Sequence, residues 1–428
     1  MSSAHDSPAL SRQNAAKKID LNVSSETGIL QQVIVHTPGE EMAQVSPEKL
    51  HELLFEDILH LEDARAEHQL MCRVFRKIVG HHSAVLQISS LLGEALQHEA
   101  ARFEFIEALC DVSKSVNLQA FEQELKRLSP EDLKHFALTG QSLLPIHALP
   151  IPNLMFTRDV AAVVGNSIIL SHPATTARAR ESIIMRVVVN HHPLFKASQK
   201  RIIDLPEGVT FEGGDLLVVS DKVILIGNSE RTSFGGVMNV AKTLFEQTDY
   251  EHVVMVTLPA QRSCMHLDTV FTFASPDECV VFPPLIENIH SGNVVRFSKT
   301  DTSGQFTIET CDSLQSELQR ILDNEISFIP CGGSDPLAQR REQWTDGANF
   351  FSLAPGLVIG YERNMHTFEE MSKRGYRVVT AKGFLSYYEE SDYTPGEKMA
   401  IKLEGNELSR GRGGPRCMTM PLSRKALV

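Results

Sequence analysis

One cysteine of this 428-residue chain stands apart from the other six. Cys417 closes the run Ser409-Arg-Gly-Arg-Gly-Gly-Pro-Arg-Cys417, with three arginines and three glycines just ahead of it. Glycine lets a backbone bend sharply and approach a ligand, and neighbouring cations lower a thiol's pKa towards the reactive thiolate. A cysteine taken alone is more often a small buried hydrophobe. That reading suits Cys72, Cys110, Cys264, Cys279, Cys311 and Cys331, which lie in apolar or helical surroundings. The setting of Cys417 points instead to a nucleophile.

A candidate acid–base lies in Cys264-Met-His266-Leu-Asp268-Thr, where an imidazole and a carboxylate two residues apart share a face if the segment is a strand. On its own this is equally a hydrogen-bonded histidine at a strand start. Phe211-Glu212-Gly-Gly-Asp215 sets two carboxylates around a glycine pair, which a tight turn also explains. Pro152-Asn153-Leu-Met-Phe156-Thr-Arg-Asp159 adds a carboxylate behind an amide and a ring, as surface loops often do. Together they supply a thiol, an imidazole and several carboxylates. Carboxylates grip a guanidinium in bidentate fashion, so an acidic pocket beside a thiolate suits a planar cation as electrophile. No HxxxH or CxxC spacing is present, so neither a metal nor a cofactor is expected.

These residues need elements to position them. Gly28–Pro38 reads as a short buried strand stopped by proline. From Ser46-Pro47 the period becomes helical, with Leu50, Leu53, Leu54, Ile58 and Leu61 in step, and Ser129-Pro130 repeats the start signal with Gly140 as its stop. Residues 46–144 are therefore expected to form an all-helical insertion. From Pro145 onward, an acidic residue precedes two apolar runs joined by a turn, four times over: Asp159 to Leu170, Asp215 to Ile226, Asp268 to Phe282 and Asp346 to Ile359. Hairpin-plus-helix modules about fifty residues or more apart suggest a propeller-like array whose polar hairpin starts converge on one axial pocket.

Composition narrows the function classes. A net charge of −13 opposes phosphate backbones and anionic lipid, so neither nucleic acid nor a membrane is expected as a partner. No apolar run approaches the roughly 20 residues that span a bilayer. The polar stretch 1–18 has no apolar core of a secretory signal and is expected to be a flexible arm. Seven scattered cysteines disfavour a disulfide framework and suit a reducing cytoplasm.

The order Pro-Asn-Leu-Met-Phe-Thr-Arg-Asp159, Phe-Glu-Gly-Gly-Asp215, Met-His266-Leu-Asp268-Thr and Arg-Gly-Arg-Gly-Gly-Pro-Arg-Cys417 closely resembles the arginine deiminase family. The likeness runs from Gly28 through Leu-Phe-Glu-Asp-Ile58 and Leu-Glu-Asp-Ala-Arg65 to the end. It implies an α/β fold, a five-bladed pseudo-symmetric ββαβ propeller over 19–45 and 145–428, with the helical domain inserted after the first strand. It also implies hydrolysis of L-arginine by water to citrulline and ammonia without a cofactor. By resemblance Cys417 is the nucleophile, His266 the acid–base, Asp159 and Asp268 the guanidinium clamp, and Glu212 the residue that orients His266 and favours its protonated form. Arg178 and Arg231 match binders of the substrate carboxylate, with Arg180 a close neighbour of the first. Arg412 matches a gating arginine, Asn153 and Phe156 line the pocket, and Asp215 counts among the substrate-binding groups. Arg416 stands where some members carry histidine. Self-association of identical chains is compatible with the sequence. An agmatine deiminase-like hydrolase fits less well because of Arg178, Arg231 and the insertion. A catalytically idle arginine-binding protein is disfavoured by the intact Cys417, His266 and Glu212.

Overall fold

A computed structural model describes residues 21–113, 117–198, 201–287, 292–302, 304–387 and 397–427, and the arm expected over 1–18 lies outside them. The strand read from Gly28–Pro38 is β1 (Leu30–Val35), followed at Pro38 by a residue with no N–H for a ladder. Helices Leu61–Val79, Ile88–Ala95, Glu99–Asp111, Leu118–Arg127 and Pro130–Thr139 come next. The last begins and ends where its signals stand. Ser129 Oγ accepts from Asp132 N at 3.1 Å, and Gly140 leaves the helix at φ 72. Two features depart from the periodicity. The apolar series from Leu50 does not make one helix, because the turn Leu50–Leu53 stops at Leu54, whose φ is 55, and Leu53 and Phe55 turn into a core shared with Met155 and Phe156. In addition, β2 (Val85–Gln87) sits inside the stretch expected to be all helix and pairs in parallel with β1. A three-residue strand is too short to break a helical pattern in sequence; the open edge of β1 makes it one.

The remaining strands are β3 (Ala161–Val164), β4 (Ser167–Leu170), β5 (Ile202–Ile203), β6 (Leu216–Val218), β7 (Val223–Asn228), β8 (His252–Thr257), β9 (Phe271–Phe273), β10 (Glu278–Val281), β11 (Val294–Lys299), β12 (Phe306–Thr310), β13 (Ser327–Pro330), β14 (Phe351–Ala354), β15 (Leu357–Tyr361), β16 (Arg377–Thr380), β17 (Met399–Leu403) and β18 (Met420–Arg424). Antiparallel hairpins form at all four repeats, β3–β4, β6–β7, β9–β10 and β14–β15. A parallel strand then joins each: β5 on β4, β8 on β7, β13 on β10 and β17 on β15. Parallel neighbours need a long crossover, and helices such as Ala179–His191 and Phe234–Gln247 provide it. The fifth sheet is built from the two ends of the chain, with β18 antiparallel and β2 parallel to β1. The fold is thus α/β, and among the described residues there are five mixed sheets, none closed on itself.

The helices of 88–139 bury Phe105, Phe121 and Phe136 in the same core as Val163, Ile168 and Val187 of the first hairpin module. That shared core holds the helices against the segment that leads into the site. Asp159, Asp215 and Asp268 each sit in a short 3₁₀ turn ahead of a hairpin, and Asp346 holds the matching place with φ 61. Among the described residues no helix is long and apolar enough to cross a membrane.

Candidate active site

The turns Thr157–Val160, Gly213–Asp215 and Leu267–Thr269 pack so closely that only glycine fits at their junction. A Cβ on Gly213 would lie 2.2 Å from Arg158 O, and one on Gly214 would lie 2.6 Å from Asp159 Oδ1 and 2.8 Å from His266 Cγ. The glycine pair therefore serves close approach between turns. The segment 264–268, read as a strand start, is instead part of this junction. Its backbone bonds to no neighbouring strand: Leu267 N donates across the fold to Asp215 Oδ1 at 2.9 Å, and Thr269 N donates within the turn to His266 O at 3.2 Å.

Cys417 is buried with its Sγ 3.7 and 3.8 Å from the two carboxylate oxygens of Asp268. Its backbone N–H donates to Asn349 Oδ1 at 3.1 Å, and Asn349 Nδ2 donates to Asp268 O at 2.9 Å, so one amide ties the Cys417 and Asp268 backbones together. His266 Nε2 lies 2.9 Å from Glu212 Oε2, and Nδ1 lies 3.6 Å from Asp159 Oδ1. Burial works against an imidazolium, but Asp159, Glu212 and Asp215 outweigh it and raise the His266 pKa to about 9. Burial would also protonate Glu212, yet Arg178, His266 and Arg231 bring its pKa down to about 2.

The thiol behaves contrary to expectation. Burial and the carboxylates of Asp268, Asp159 and Asp346 push its pKa well above the ordinary value, with Arg416 opposing them. The arginines that precede it in sequence are spent elsewhere. Arg410 pairs with Asp57 at 2.9 Å, the Arg412 guanidinium lies 3.6 Å above the Trp344 ring, and Arg416 is neutralised by Asp268 at 2.8 Å and Glu26 at 3.0 Å. The resting pair is a neutral thiol and an imidazolium.

Asn153, Phe156, Asp159, Arg231, His266 and Arg412 line one pocket with Cys417, with about 20 Å³ of free volume. Arg231 is buried with no hydrogen-bond acceptor for Nε or Nη1, which lie 3.8 Å from Glu230 Oε1 and 3.7 Å from Glu212 Oε1. The same two nitrogens of Arg412 and Asp159 Oδ1 also make no hydrogen bond. Arg178, expected to bind the substrate carboxylate, reaches this pocket with its charge already engaged. Its guanidinium is held by Asp159 at 2.6 Å, Glu181 at 2.7 Å and Glu212 at 3.2 Å, so three carboxylates already neutralise it. Arg180 points away, donating from Nη1 to Ala137 O at 3.3 Å. Asp215, expected at the substrate, is fully buried behind the site, where Oδ2 accepts from Ser229 Oγ at 2.6 Å. Asp159, Glu212 and His266 bring three ligand-type atoms within 4.8 Å of one another, a grouping invisible in the spacing. Their partners among themselves and with Arg178 account for that cluster as an ion-pair network.

Four residues went unassigned in the sequence: Asn349, Trp344, Asp346 and Glu26. Asp346 carries the same pre-hairpin signal as the other aspartates, and Asn349 follows it by three residues, so both were within reach of the repeat. Trp344 and Glu26 carry no local signal.

A family model described as arginine deiminase matches residues 51–144 and 113–424. The arginine deiminases of Clostridium perfringens and Listeria monocytogenes are each 34% identical over 95% of this chain and 98% of their own length. That of Staphylococcus aureus is 33% identical over the same shares. Among solved structures, a dimethylarginine dimethylaminohydrolase adduct with S-methyl-L-thiocitrulline has a TM-score of 0.51 at 15% identity, covering 92% of this chain and 100% of that one, which is a likeness of fold.

Proposed function

This chain belongs to the arginine deiminase family, and from that membership we propose that it hydrolyses L-arginine to citrulline and ammonia with Cys417 as the nucleophile. The observation that carries this reading is the charge pattern of the pocket. Carboxylates flank the thiol, while Arg231 and Arg412 present buried N–H groups that donate to no acceptor, those of Arg231 standing 3.7 and 3.8 Å from Glu212 and Glu230. A molecule bearing both a guanidinium and a carboxylate answers both, and agmatine, which lacks the carboxylate, answers one. The carboxylate role falls to Arg231 with Arg412 rather than to Arg178.

The substrate cation completes the nucleophile. Arriving between Asp159 and Asp268, it offsets the carboxylates that keep the thiol protonated, so Cys417 ionises when its electrophile is in place. The C–S bond forms, His266 delivers its proton to the departing nitrogen, and the C–N bond breaks to release ammonia. The amidino group stays on sulfur. Neutral His266 then takes a proton from water as oxygen attacks the same carbon. The C–S bond breaks and citrulline leaves; of the two protons freed, one from the thiol when it ionised and one from water as the carbonyl forms, one turns ammonia into ammonium and the other restores the thiol. The small free volume means that Arg412, strained at φ 63, moves aside to admit arginine.

The same reading extends to architecture. The five sheets form the blades of a propeller, and 46–144 is an insertion after its first strand. Support comes from the antiparallel-then-parallel plan that all five share and from the pairing of β1 with β18. Acid quenching during arginine turnover, followed by intact-mass measurement and peptide mapping, tests the chemistry. An adduct on Cys417 is expected in the parent and none in Cys417→Ala. An adduct on another cysteine, or turnover in that variant, would overturn the mechanism.

A further inference from the structure

A cavity of about 600 Å³ opens between the helices Glu99–Asp111, Leu118–Arg127 and Pro130–Thr139 and the segment 145–149. Thr176 and Ala177 belong to its wall, while the next residue, Arg178, lines the catalytic pocket. A single turn thus borders both cavities. Leu109, Phe121, Phe136 and Ile146 give the larger one an apolar body. Arg180 supplies a cation to it. That guanidinium has five donors, of which one reaches Ala137 O, and it has no ion-pair partner among the described residues. Its neighbour Glu181 is turned to Arg178 at 2.7 Å. Burial draws the Arg180 pKa down to about 10 against the pull of Glu181, the mark of a cation short of counter-charge. Two carboxylates also face this space, but Glu124 is paired with Arg127 at 2.8 Å and Glu52 is exposed to solvent.

We propose that this cavity is a second ligand site, taking a small carboxylate with an apolar body whose anion pairs with Arg180, and that its occupancy is felt in the catalytic pocket through the turn Thr176–Arg178. The apolar walls receive the body and the under-bonded guanidinium receives the anion. Arg178, two residues from Arg180, holds Asp159 at 2.6 Å and Glu212 at 3.2 Å, so a small shift of the turn alters contacts to two groups around His266. Catalysis needs neither Arg180 nor the cavity, so occupancy modulates the reaction without taking part in it.

Calorimetric titration of the full chain with phenylacetate and with its neutral analogue phenylacetamide tests the site without any turnover, so failure here is separable from failure of the arginine reading. The acid is expected to bind about tenfold or more tightly than the amide, as a charge-assisted bond implies. It should stay bound at saturating arginine. Arg180→Gln should lose the preference while keeping its arginine turnover, and Arg180→Lys should retain most of it. Phenylacetate should shift the KM for arginine by roughly fivefold or more in the parent and leave it unchanged in Arg180→Gln. Equal binding of acid and amide, displacement by arginine, or a preference that survives Arg180→Gln overturns the site, and an unmoved KM overturns the coupling. Should Arg180→Gln fail to fold, the acid–amide comparison and the arginine displacement on the parent decide the matter.

Discussion

His266 owes its high pKa to Asp159, Glu212 and Asp215 acting against burial, so its proton-donating form is lost only as pH rises through about 9. Turnover should therefore fall along an alkaline limb in that region. Glu212→Gln removes one carboxylate and weakens the bond at Nε2, which lowers the His266 pKa. The limb of the kcat–pH profile should move to lower pH by roughly one unit. An unmoved limb would take His266 out of the rate-limiting proton transfer. Arg231 presents a different test at the same scale, since its Nε and Nη1 are buried and donate to no hydrogen-bond acceptor. Arg231→Leu should cost about tenfold to a hundredfold in kcat/KM for arginine, the worth of a charge-assisted bond, and leave agmatine hydrolysis nearly unchanged. Equal losses on both substrates would assign Arg231 to the site's structure instead.

Among the elements, the three acidic turns were readable because each precedes a pair of short apolar runs joined by a turn. What each turn touches was not readable. The glycines at 213 and 214 fit a tight turn equally well, and only the packed structure shows the Gly214 Cα facing Asp159 and His266 across a gap that admits no methyl group. Gly214→Ala should displace those side chains, and misplacement by about 1 Å costs on the order of a hundredfold in rate. Kinetics alongside thermal melting separate the effects: turnover should drop at least tenfold while a folded protein remains. Normal kinetics in that variant would show that the turns yield without cost. The strand start allowed for at 264–268 and the helix expected across Leu54 are absent for a common reason. In each, a tertiary contact overrode the local period: Asp215 takes Leu267 N, and Phe55 turns inward to join Met155 and Phe156.

At the scale of the molecule, segments from the first and last parts of the described residues meet beside Cys417. Arg416 joins Glu26, near β1, to Asp268 beside the thiol, all three buried, while β18 pairs with β1 directly after the Cys417 segment. Arg416→Leu leaves two carboxylates buried without their shared cation and should cost about 3–5 kcal/mol in denaturant unfolding. A loss under 1 kcal/mol would mean that the carboxylates simply take up protons. The sequence by itself determined the family and the four hairpins and singled out Cys417 and His266 as candidates, because those depend on residue type and on spacing within a few positions. Tertiary structure alone decided where each charge is spent. Three arginines adjacent to Cys417 in the chain do not make a thiolate, because Asp57, the Trp344 ring and the Glu26–Asp268 pair engage them in space. Arg178 and Arg180, two residues apart, serve different cavities because the turn between them forms a wall of both. Electrostatic energy depends on distance and burial, and a linear order of residues specifies neither until the chain has closed on itself.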